Sequence, residues 1–210
     1  MQSAAFETAF VRDLDRLLHL RRDVRRFARD PLAPHLIEEL LDAAHCAPSV
    51  GYSQPWRFVL VEGDQVRATV GASFQAANAE ALGGYAGETA RLYAGLKLAG
   101  LDDAPVQLAV FTDESTAVGR GLGRATMPET LAYSTVAAVQ NLWLAARARG
   151  LGVGWVSILD PAAVTTALDV PAAWRLTAYL CIGYPLETSE TPELERAGWE
   201  YRRESVVLRR

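Results

Sequence analysis

Apolar residues recur every three to four positions at the start of the chain, at Phe6, Phe10, Leu14, Leu17 and Leu18, and predict an amphipathic helix. A second stripe, Leu36, Ile37, Leu40, Leu41 and Ala44, follows Pro34, whose fixed φ suits a first helical turn. The connection between the two holds the run Arg21-Arg22-Asp23-Val24-Arg25. Two prolines and a glycine make 47–55 a loop, which leads into a β-rich segment over 56–61. Residues 65–98 read as helical, broken at Gly83-Gly84, where a flexible lid or hinge is expected. A strand over 106–112 and a mobile glycine-rich connection around 119–123 come next. The span 130–149 predicts a long helix ending at Gly150 as a C-cap, apolar on more than one side and so buried all round, at the centre of a large core or a dimer. A buried strand over 152–159, a helix start at Asp160-Pro161 and another buried strand over 176–182 complete the alternation. From Thr188 the chain turns polar, and Val206-Val207-Leu208 reads as part of an arm.

No repeat or linker divides this pattern, so residues 1–210 are expected to form one domain. Half of the residues are hydrophobic, enough for a well-buried core. With 21 basic and 25 acidic residues the net charge is −4, so nothing suggests general nucleic-acid affinity, and an anion bound by the basic cluster is expected to be small. Cys46 and Cys181, both in apolar surroundings, are expected to be free buried thiols in a reducing cytoplasm. Residues 1–10 lack the basic head and apolar run of a signal peptide, and no stretch reaches the length of a membrane span.

The run at 21–25 is the chemical oddity of the chain. Three guanidiniums within five residues match phosphate oxygens, and a single carboxylate among them is aimed by its neighbours. A solvated charge cluster between helices explains the run equally well when it is taken alone. His19, His35 and His45 do not fall at metal-ligand spacing, and no serine sits in the turn that exposes a nucleophile, so zinc chemistry and acyl transfer are disfavoured. Gly150, Gly152 and Gly154 run from helix into strand, the reverse of the dinucleotide fingerprint, and read as a tight turn with close packing. Ser157, near the end of an apolar strand, either bonds a nearby carbonyl or faces a ligand, the first being the default. Trp56 and Trp143 read as core or interface aromatics. Pro48-Ser49-Val50-Gly51 lets backbone approach a flat ligand, though a plain turn accounts for it too.

Five motifs in register resemble the nitroreductase-like flavoproteins: Arg21 to Arg25; Ala47 to Gly51 with Gln54-Pro55-Trp56; Tyr133-Ser134; Gln140 to Arg147; and Gly152 to Ser157. Within that family they are similar to the branch that makes 5,6-dimethylbenzimidazole, the lower-ligand base of cobalamin. The resemblance implies an α+β fold with a mixed sheet flanked by helices, and an interlocked homodimer holding flavin mononucleotide (FMN) at its interface. It implies that Arg21, Arg22 and Arg25, with Asp23 and Val24 between them, hold the phosphate and the pyrimidine side of the flavin. Ser49, Val50, Gly51 and Gln54 match the loop laid against the ribityl chain and ring, usually from the partner subunit. Lys97 and Leu98 fall in the lid-like segment. Ordinary nitroreductases commonly carry Ser where this chain has Asp23, and a carboxylate can also move protons. The implied reaction is oxygen-dependent fragmentation of reduced FMN with release of erythrose 4-phosphate. Asp23 would be the general base, Ser157 would hydrogen-bond near the reactive edge, dioxygen would be co-substrate, and an external flavin reductase would supply the reduced flavin. A nicotinamide-dependent flavin reductase or nitroreductase, and a non-catalytic flavin carrier, are the alternatives. No nucleic-acid or membrane partner is implied.

Overall fold

The computed structural model describes residues 5–210, so the first four positions of the 1–10 stretch lie outside it. In chain order the elements are α1 (Thr8–Leu20), α2 (Pro34–His45), β1 (Trp56–Leu60), α3 (Asp64–Gly83), α4 (Gly87–Ala94), β2 (Val106–Asp113), α5 (Thr130–Ala148), β3 (Gly152–Val156), α6 (Pro161–Ala167), β4 (Trp174–Gly183) and α7 (Glu193–Arg196). Short 3₁₀ turns occupy Val50–Tyr52 and Val118–Gly121.

The sheet order is β1-β2-β4-β3, with every neighbouring pair antiparallel. An isolated parallel bridge between Asp23 and Val153 extends the β3 edge and gives the sheet its mixed character. Successive side chains of the central strands face opposite layers. On one face Leu108, Val110, Leu180 and Ile182 pack with Leu40 and Ala44 of α2 and with Ala138, Val139 and Leu142 of α5. On the other, Ala109, Phe111 and Tyr179 meet Val70 of α3 and Val164 of α6. Burial on both faces is why residues 108–111 of β2 and 178–182 of β4 read as apolar runs.

Several expectations shift. The strand expected over 152–159 ends at Val156, because its last partner is Tyr179 and the chain must turn to deliver Asp160 to the start of α6. There the Asp160 carboxylate accepts from the Ala162 N–H and the Asp160 N–H donates to Ser73 Oγ, so the predicted cap is realised. Helix α5 buries Leu131, Thr135, Ala138, Val139 and Leu142, but Tyr133 and Val136 stay 58% and 40% exposed. Burial all round is therefore not met within one chain. Helix α1 buries no residue, and Phe10, Leu14, Leu18 and the terminal Val206, Val207 and Leu208 are exposed as well. Cys181 is buried, but Cys46 is exposed, because it sits at the C-cap of α2 where the apolar stripe ends. Among the described residues no helix is long and apolar enough to cross a membrane.

Candidate active site

The 21–27 segment lies against the open edge of β3 because that edge lacks side chains. A Cβ on Gly154 would run into the Val24 carbonyl oxygen, and one on Gly152 would come within 2.8 Å of the Val24 side chain. The alternating glycines thus allow the close packing expected of them. Val24 donates its N–H to the Val153 carbonyl at 3.0 Å, and Ala28 N–H and Arg26 C=O bond to Tyr184 and Leu186 beyond β4. Phe27, 2% exposed, anchors the segment in the core.

This seat fixes Asp23. Its Oδ1 accepts from the Trp155 backbone N–H at 2.9 Å and its Oδ2 from Arg25 Nε at 2.8 Å. The fork of Arg25 also donates to the Lys97 carbonyl at 3.0 Å. Arg21 lies over the Trp143 ring, 4.9 Å from its centroid, while the indole N–H donates to the Arg22 carbonyl. Arg22 donates to the Arg21 and Glu190 carbonyls, and its Nε is buried without a partner. Burial, with the charges of Arg21 and Arg202, lowers the pKa of that guanidinium. In the sheet below, the Cys181 thiol is pushed up to about 12 by burial, with the Asp23 charge adding to the effect. Ser157 is exposed just past β3 and makes no side-chain hydrogen bond among the described residues, so the local-carbonyl reading does not hold.

The loop at 49–54 forms a second constellation from backbone rather than charge. Ser49 Oγ accepts from the Gln54 N–H, and Val50 N–H donates to Ser134 Oγ at the start of α5. Gly51, Tyr52 and Gln54 all adopt positive φ. The connection around 119–123, expected to be mobile, is packed here: a Cβ on Gly119 would lie 2.5 Å from the Gly51 carbonyl oxygen, and one on Gly51 would lie 2.7 Å from that of Leu122.

The structure links Asp23, Arg25 and the Lys97 carbonyl by hydrogen bonds, with Arg21 on the same segment over Trp143, but does not bring these to Ser49, Val50, Gly51 and Gln54. The loop precedes Trp56, level with Thr112 and Arg175, whereas Asp23 pairs with Val153, level with Ile182 on the opposite sheet edge. Three to four strand spacings and seven residues of β4 put the two corners on the order of 20 Å apart or more. Lys97 and Leu98 are half-buried beside a cavity of about 180 Å³ that Phe74, Gln75, Asn78 and Asp102 also line. Gly83-Gly84 closes α3, with Gly84 at φ −79 in an ordinary helical cap. Tyr85 and Tyr93 then pack with Trp199 of the C-terminal segment. Sequence reading missed the Trp155 N–H, the Lys97 carbonyl and the Ser134 hydroxyl as supports. The glycine alternation at 152 and 154 was the signal for the first.

A model described as "Nitroreductase family" matches residues 18–184. The chain belongs to the nitroreductase family. The resemblance read from the five motifs is thereby borne out, and the narrower likeness as well. A 5,6-dimethylbenzimidazole synthase of Rhodospirillum rubrum is 56% identical over 205 residues, covering 98% of this chain and 97% of that protein. One from Rhodobacter capsulatus is 51% identical, covering 93% and 94%. Among solved structures, oxidized iodotyrosine deiodinase bound to FMN and 3-iodo-L-tyrosine superposes with a TM-score of 0.73 at 25% identity, covering 93% of this chain and 97% of that one.

Proposed function

We propose that the protein is a 5,6-dimethylbenzimidazole synthase: a single flavin-binding domain that, as a homodimer, fragments reduced FMN with dioxygen and releases erythrose 4-phosphate. The carrying observation is Asp23, a carboxylate where a hydroxyl would suffice for flavin binding, gripped at one oxygen by Arg25 of the arginine-bearing segment and at the other by the Trp155 backbone N–H of β3. The full-length likeness to relatives of that name supports it.

The residues present fit a phosphate-bearing flavin. Burial first, and then the like charges of Arg21 and Arg202, lower the Arg22 pKa; a dianion would relieve the repulsive part, and the Arg22 Nε is a buried donor with no partner. Arg21 and Arg22 would hold the phosphate, with Asp23, Val24 and Arg25 along the ring. Ser49, Val50, Gly51 and Gln54 of the second copy would close the site. That requirement follows from the distance between the two corners, and the uncovered apolar faces of α1, α5 and the C-terminal arm supply surface for the association. When bound, reduced flavin supplies both the electrons for dioxygen and the carbon that is cut out. Asp23 accepts protons released in the cleavage, a role that the donors on Oδ1 and Oδ2 orient. Ser157, with a free hydroxyl, offers a hydrogen bond to the reacting edge, and Lys97 and Leu98 close the site against water. We place this chemistry in the cytoplasm, with a separate flavin reductase supplying the substrate.

Incubation of the protein with chemically reduced FMN in air, followed by chromatography, is the test. Appearance of 5,6-dimethylbenzimidazole is expected. Intact reoxidised flavin, with rapid bleaching by a nicotinamide instead, would make the protein a reductase, and tight flavin binding with neither reaction would make it a carrier.

A further inference from the structure

We infer that Arg25 is a positioning residue that couples the seating of residues 95–99 to the orientation of Asp23. Its side chain is 12% exposed and spans two groups that do not touch each other, the Asp23 carboxylate and the Lys97 carbonyl. A planar guanidinium can hold both at once with fixed geometry, which a single ammonium on a flexible stem cannot.

The far end of this bridge is otherwise weakly held. Helix α4 hands over to the segment through Gly95 and Leu96, whose N–H groups bond back to Arg91 and Tyr93. The chain is buried again at Ala99 and Gly100. Between those points, among the described residues, the Arg25 bond to the Lys97 carbonyl is the one hydrogen bond made by residues 97–99. The cavity of about 180 Å³ beside the segment gives it room to shift. At the near end Asp23 has two tethers, and Arg25 is one of them. Unseating 95–99 frees half of the Arg25 fork, and loss of the Asp23 carboxylate frees the other half. Such coupling is necessarily reciprocal. The consequence for turnover rests on the function proposed above, but the coupling itself does not.

Lys97 is the only lysine in the chain, so a lysine-specific endoproteinase cuts only after it and reports directly on the seating of this segment. On the ligand-free protein, Arg25→Ala is expected to speed that single cut about tenfold, the scale of one lost charge-assisted hydrogen bond. Asp23→Ala should speed it also, although Asp23 makes no hydrogen bond to residues 95–99, and the double variant should be cut no faster than Arg25→Ala alone. An Asp23→Ala protein cut at the wild-type rate, or additive effects in the double variant, would overturn the coupling. Arg25→Met, which keeps the stem of the side chain and adds no second cleavage site, guards against a folding defect and should still be cut faster. In the flavin reaction, Arg25→Ala should lose about a hundredfold in turnover, as for a catalytic group displaced by an ångström. Methylguanidinium should restore part of it, and a variant that binds flavin yet resists that rescue counts against the proposal. Absence of product from the wild-type protein would sink the proposed function and leave the cleavage result to judge the coupling.

Discussion

The two corners of the sheet that carry the candidate site are built on opposite plans. At the β3 edge, charged side chains on an extended segment are aimed by regular strand geometry, and glycines serve only to let that segment approach. At the β1 edge hardly a charge is involved. Left-handed residues in one loop interlock with left-handed glycines in another, and the backbone itself is the presented surface. The first plan suits moving a proton and gripping an anion, and the second suits laying a flat ligand against peptide groups. Neither corner contains the other's chemistry, and the proposed function therefore draws one corner from each of two chains.

The comparison is broken most sharply at Asp23. Asp23→Asn keeps the shape and hydrogen-bonding capacity but cannot accept the proton, so product formation should fall by about 10²- to 10⁴-fold while FMN binding, followed by fluorescence quenching, persists. Loss of binding with retained fragmentation would reverse the assignment. Next come the glycines that hold each corner. Gly154→Ala and Gly119→Ala should each cost about 1–3 kcal/mol in urea unfolding, as overpacked sites do. The first should loosen the Asp23 segment and the second the 49–54 loop. Trp143 supports the arginine face alone. Trp143→Phe, which keeps a ring beneath Arg21 but drops the N–H bonded to Arg22, should cost about 1 kcal/mol. Trp143→Leu should cost more and weaken flavin affinity with it. Ser157→Gly should lower product formation with a stability change within about 0.5 kcal/mol and dimerisation untouched, since the side chain is exposed and unbonded. Smallest in effect is the thiol contrast: at pH 8 Cys46 should react with an aromatic disulfide reagent, and Cys181, buried with its thiol pushed up to about 12, should react only after unfolding.

The same contrast explains what could be read from the sequence. Helices α2 and α5, the cap at Asp160-Pro161 and the arginine run between α1 and α2 were legible because each depends on neighbours within a few turns. The partners of the run were not. Asp23 meets Trp155 across 132 positions and Arg22 meets Glu190 across 168, contacts that no local period encodes. Glycines 119, 121 and 123 looked like slack, because a glycine required for close approach and one that merely relaxes the chain are the same letter. The exposed stripe of α5 leaves the expected burial half met: Tyr133 and Val136 are uncovered within one chain, and the dimer proposed above would cover them.

The requirement for two chains is tested most directly by mixing two defective proteins. Asp23→Asn damages only the β3 corner, and Gly51→Val, placed where a Cβ already meets the Leu122 carbonyl at 2.7 Å, damages only the β1 corner. Each variant alone should be inactive on reduced FMN in air. After the two are unfolded and refolded together, mixed dimers contain one intact site, and 5,6-dimethylbenzimidazole formation should return to about a quarter of wild type, since half the dimers are mixed and each has one working site of two. A mixture as inactive as its parents, with mixed dimers shown to be present, would contradict a site shared between chains.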